Sequence, residues 1–188
     1  MQPKTPFDLL LVEPLETVIG ETLQHIYYTL FIPELSDFDV NMPNMNGVVL
    51  IRLVFDKHTL EVISSSEREL RPGNFFGIRA SLVPIELRAE HFCLVCADAS
   101  VDWSPLLAHK LVEVEVIGIR NSPQSVRLTF ACGSIVIAIG DSNDVRENYP
   151  EMVGDGPELL VLSDYQFQKS EKFLTDPWVT LWQSMRQY

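Results

Sequence analysis

The chain has 188 residues, 46% of them hydrophobic and 21% charged, enough apolar material for a buried core and too much for wholesale disorder. Acidic side chains outnumber basic ones by 26 to 14, a formal net charge of −12, which repels phosphate backbones and anionic membranes and argues against binding to either. Three cysteines, Cys93, Cys96 and Cys132, are too few and odd in number for a secreted disulfide framework.

From the amino terminus, Leu9 to Val12 is a short apolar stretch, too brief for the core of a signal peptide. The longest uncharged apolar run, Leu128 to Gly140, falls short of a membrane span. A cytoplasmic location is the resulting expectation. Leu15 to Leu23 reads as a short helix leading into a strand, and Phe31 to Asn46, rich in Pro, Asn and Asp, reads as a loop.

Two hairpins then dominate the pattern. Ile51-Arg52-Leu53-Val54-Phe55 runs through Asp56-Lys57-His58 into Thr59-Leu60-Glu61-Val62. Val126-Arg127-Leu128-Thr129-Phe130 runs through Ala131-Cys132-Gly133 into Ser134-Ile135-Val136-Ile137. The two match without a gap at an offset of 75, with Arg, Leu and Phe identical. Their alternation is that of half-buried strands joined by tight turns. Upstream, Ile19 to Ile26 resembles Leu107 to Val114 at an offset of 88. Downstream, Cys93 to Asp98 resembles Leu159 to Asp164 at an offset of 66.

Matched segments in one order suggest an internal repeat. The expectation is a mainly β protein whose two related meander halves form a sandwich or flattened barrel of around eight to ten strands. One compact domain, 1–188, would hold repeats at about 15–98 and 104–164 and a C-terminal helical segment over 165–188. Phe55 and Phe130 should be buried in equivalent places. Ile135 to Ile139, Leu159 to Leu162 and Phe92 to Cys96 are apolar on both faces and should be buried on both, while Arg52 and Glu61 mark a wetter face.

After Asp164 the period changes. Phe173, Leu174, Trp178, Leu181, Trp182 and Met185 fall at helical spacing, with Asp176 placed as an N-cap and Pro177 at the first helical position. A terminal helix laying its aromatic stripe on the sheets is therefore expected.

Residues that carry chemistry are sparse. Cys93 and Cys96 form C-x-x-C, but three positions apart on a strand they point to opposite faces and suit buried thiols better than a metal site. His25, His58, His91 and His109 are scattered, and the chain carries no nucleophile elbow, zincin, Walker or dinucleotide-binding motif. No catalytic residue, metal or cofactor is assigned. Arg52 and Arg127, matched between the halves, are read as outward strand residues paired with acids. The most negative stretch holds Asp141, Asp144, Glu147, Glu151 and Asp155, the candidate residues for binding a partner.

The repeated run of Ile or Val, Arg, Leu, any residue and Phe, then a turn and an alternating strand, resembles small β-rich bacterial proteins, some of which act as immunity partners in toxin systems. The resemblance names no family and carries over no functional residue. The expected function is non-enzymatic: a protein-binding module, including an immunity-type inhibitor of a basic partner. The alternatives are a small-ligand-binding β protein and an enzyme with an unrecognised site.

Overall fold

In the computed structural model, the residues described are 8–31, 48–65, 77–87, 92–119, 122–139, 159–171 and 179–185. A π-helical turn at Asp8–Val12 runs into helix α1, Glu13–Val18, whose second residue is Pro14. Gly20 adopts a positive φ of 91° after it, turning the chain into the first sheet.

That sheet contains β1 (Leu23–Phe31), β2 (Val48–Phe55), β3 (Thr59–Ser65), β4 (Gly77–Ser81) and β5 (Phe92–Cys96), in the order β4-β3-β2-β1-β5. A 3-10 turn at Ser104–Leu106 leads to the second sheet: β6 (Leu111–Ile119), β7 (Ser122–Phe130), β8 (Gly133–Ile139), β9 (Leu159–Ser163) and β10 (Val179–Met185). Helix α2, Asp164–Glu171, lies between β9 and β10. The second order is β10-β6-β7-β8-β9, and every pairing in both sheets is antiparallel. The protein is thus a mainly β sandwich of two five-stranded sheets, not a closed barrel.

The sheets share more than strand order. Leu23 faces Phe55 and Leu111 faces Phe130, and each ladder slips by one residue immediately afterwards. Tyr27 faces Arg52 and Glu115 faces Arg127 in the same places. Phe55 and Phe130 are both buried. Where the halves meet, Thr22 bridges Lys110; Gly20 N–H donates to Leu111 O and Ala108 N–H to Leu23 O. Leu23 N–H likewise donates to His109 O, and Leu111 N–H to Glu21 O. These bonds exchange under the offset of 88, as a local two-fold axis between Thr22 and Lys110 requires. Ala108 takes the place of Gly20 and also has a positive φ, 61°.

The main core lies between the sheets, where Leu23, Ile26, Leu53 and Phe55 meet Leu111, Val114, Leu128 and Phe130, with Leu11, Leu15 and Val18 at one end. A second apolar cluster covers the outer face of the second sheet: Ile117, Val136, Ala138, Leu160 and Leu162 pack under Phe167 of α2.

Four features of the fold differ from what the sequence predicts. Residues 179–185 form an edge strand instead of a terminal helix. Their Val-Thr-Leu-Trp run suits a pleated surface, and Gln183 and Thr180 donate to Glu113 and Glu115 across the β6 edge. A bulge between Thr180 and Trp182 lets consecutive Leu181 and Trp182 both pack against the main core. Second, β5 is not buried on both faces: it is an edge strand with Leu94 and Cys96 exposed. Cys96 is therefore not a buried thiol, whereas Cys93 packs partly on the core. Third, the sequence match of Cys93–Asp98 to Leu159–Asp164 joins strands in different places, since β9 holds the place of β4 and β10 that of β5. Fourth, Glu61 is no wet-face residue, being 1% exposed.

Candidate functional site

Each sheet turns one face to the core, and what covers the other face differs between them. Alternation along β1, β2 and β3 sends Tyr27, Arg52, Val54, Thr59 and Glu61 outwards. After β4 the chain turns back over this face, held by Ser81, whose hydroxyl donates to Val83 O at 2.7 Å and accepts Val83 N–H at 3.1 Å. Leu82 and Pro84 form one wall and Leu94 of β5 another, enclosing a groove of about 670 Å³. That volume falls within the range of ligand pockets, a few hundred to about 1,000 Å³.

An ion pair forms part of the groove wall. Arg52 donates to Oε1 of Glu61 through Nε at 2.6 Å and approaches it with its second nitrogen at 2.5 Å. The other oxygen of Glu61 accepts Ile85 N–H at 2.5 Å, tying the covering segment to the sheet. Both carboxylate oxygens are therefore engaged, which is how an acid with a side chain only 2% exposed is tolerated. The pair anchors the groove and supplies neither a nucleophile nor a waiting proton acceptor.

At the rim, His25 lies beside Tyr27, with ring centroids 6.4 Å apart, and donates to Asp98 at 2.7 Å. Burial raises the Asp98 carboxyl, but the bonds from His25 and from Ile26 N–H outweigh it and hold the group below the ordinary carboxylate range. On the β2–β3 turn, His58 donates through its ring and backbone nitrogens to the buried Glu21, at 2.6 and 3.1 Å. His25 fastens the turn after β5 to β1, and His58 ties the β2–β3 turn to the segment that leads into β1.

A fourth polar pair sits deep in the core. Trp103 Nε1–H donates to the hydroxyl of Tyr28, and both side chains are fully buried. Burial pushes the Tyr28 phenol up despite that bond, and burial likewise raises Asp102. The Tyr28 and Trp103 side chains are closed to a substrate by their burial.

The sequence-derived candidates Asp141, Asp144, Glu147, Glu151 and Asp155 lie outside the described residues, as do His91 and Trp178. Arg52 and Arg127 do pair with acids; Arg127 is held by Glu115 at 2.5 Å and Asp164 at 3.2 Å. Cys132 is exposed on the β7–β8 turn, its thiol against Pro105 O at 3.1 Å. Sequence alone does not reveal the groove: alternation marks Arg52 and Glu61 as outward residues, but the apolar run around Leu94 reads as buried on both faces.

No helix among the described residues is long and apolar enough to cross a membrane. Comparison with protein-family models, with curated proteins and with solved structures finds no match for this chain.

Proposed function

We propose that this protein is a non-enzymatic binding module whose partner is another protein with a basic surface, and that the outer groove of the first sheet is part of the interface. The observation that carries the reading is the groove's composition. Tyr27, Val54, Leu82, Pro84 and Leu94 offer aromatic and aliphatic surface around an ion pair already satisfied within the chain. Such a surface favours contact over chemistry, and recognition commonly uses an apolar centre with a polar rim. The net charge of −12 would raise the rate at which a basic partner arrives, while the groove would govern how long it stays. The acids of residues 141–158 would contribute to that steering. An immunity-type inhibitor of a basic partner fits this description.

The test is to capture partners from a native extract on the immobilised chain and follow association with the purified partner. Neutralising Asp141, Asp144 and Glu147 together should slow association and flatten its dependence on salt. An unchanged rate with no salt dependence removes the electrostatic part of the reading. Turnover of a small substrate by the purified chain, with no partner recovered, removes the rest.

A further inference from the structure

The two sheets carry the same arginine at the same register, and on one of them the chain itself displays what such a site takes. In the first sheet Tyr27, Arg52 and Glu61 lie side by side across β1, β2 and β3. In the second, Glu115, Arg127 and Val136 occupy the equivalent row across β6, β7 and β8. Over Arg127 sits Phe167 of α2, its ring centre 5.4 Å from the guanidinium carbon and its side chain 1% exposed. Asp164, at the start of the same helix, accepts from Arg127 and Ser134. Helix α2 follows β9, the counterpart of β4; the segment that follows β4 instead runs through Leu82 and Pro84 along the edge of the groove. Where α2 sets Phe167 against Arg127 on one sheet, the segment after β4 leaves a groove of about 670 Å³ beside Arg52 on the other.

We infer that the groove over Arg52 receives an aromatic side chain of the partner protein, its ring set against the guanidinium as the ring of Phe167 is set against that of Arg127. This rests on the protein-binding reading above and specifies its anchor. The chemistry favours a ring for two reasons. Glu61 takes the donors at Nε and one terminal nitrogen of Arg52, so the charge is already matched and the flat face of the guanidinium is left for a π partner. Around it, Val54, Leu82, Pro84 and Leu94 supply apolar walls, and Leu94 is 49% exposed, surface that a docked ring would cover. An acidic anchor like Asp164 is disfavoured here, because Glu61 replaces Val136 and would repel it.

The inference is tested with random peptides displayed on phage, selected on the full chain and on its Leu94→Glu variant in parallel. Peptides enriched on the native chain should share an aromatic residue, and replacing it with alanine should weaken binding at least about tenfold. The same peptides should lose at least about tenfold on Leu94→Glu, and on Thr59→Lys as a second block from the sheet itself. Arg52→Lys, which keeps the charge but loses the planar fork, should weaken aromatic peptides more than their leucine-substituted versions. Enriched peptides with no aromatic residue in common would overturn the inference, as would undiminished binding to both blocked variants or no enrichment at all. So would concentration-dependent self-association lost on blocking the groove, or saturable binding of free indole or phenol in place of peptides. If the partner recovered from extract binds Leu94→Glu and Thr59→Lys as tightly as the native chain, the protein-binding reading survives and the aromatic anchor does not.

Discussion

Replacing Phe167 with alanine should destabilise the protein by about 3–5 kcal/mol, the range for a large core side chain cut back to alanine. The ring is completely buried against Ile117, Val136, Ala138, Leu160 and Leu162. Roughly 2–3 kcal/mol is the transfer of its surface from water; the cavity and the lost cation–π contact with Arg127 make up the remainder. Helix α2 has eight residues, too few to be stable without packing, so it should loosen as the ring goes. The contacts of Asp164 with Arg127 and Ser134 limit how far. Phe167→Leu keeps most of the burial and loses the cation–π contact, and should cost less than about 1.5 kcal/mol. Urea unfolding of the three proteins gives the differences, provided the slope with denaturant is unchanged. A loss below about 1 kcal/mol for the alanine variant would mean that α2 does not seal the second sheet.

Tyr28→Phe leaves the buried Trp103 N–H without its acceptor and should cost about 1–3 kcal/mol near neutral pH. Because burial holds the Tyr28 phenol above its ordinary value, native stability should fall as pH rises past about 10, and titrating the variant should show a shallower alkaline decline. Asp98 is held below its ordinary value, so its contribution is complete above about pH 4 and lost as pH falls further; Asp98→Asn should flatten that part of the acid unfolding curve. A Cβ at Gly77, where φ is 134°, would overlap the carbonyl oxygen of Pro123 in the other sheet. Gly77→Ala should cost about 3 kcal/mol or more by urea or thermal unfolding. Ending the chain before Val179 removes β10 with Leu181 and Trp182, both packed on the main core, and should lower stability by about 2–4 kcal/mol.

The hairpins were legible because their information is local. Period-two alternation in β2, β3, β7 and β8 and the turn residues between them lie within short windows, and the offsets of 75 and 88 align the observed registers of β1 with β2 and of β6 with β7. The terminal strand was illegible for the opposite reason. Trp178, Leu181, Trp182 and Met185 repeat at three and four positions, a helical spacing, and only the open edge of β6 and a bulge turn part of that run into a strand. Glu61 looked solvated because its neutralising partners arrive from elsewhere: Arg52 across the ladder and Ile85 N–H from beyond β4. The groove draws on β1, β2, β3, β5 and the segment after β4. Alternation along any one of those strands says which residues point outwards; it does not say which outward face stays open.

Hydrogen–deuterium exchange of the chain, free and bound to the partner recovered from extract, most directly tests whether recognition runs through the outer face of the first sheet. Slowed exchange confined to β1, β2, β3, β5 and residues 82–87, with β6 to β9 unchanged, is the predicted result. Protection over α2 and the second sheet, with the first sheet exchanging as in the free protein, would contradict it.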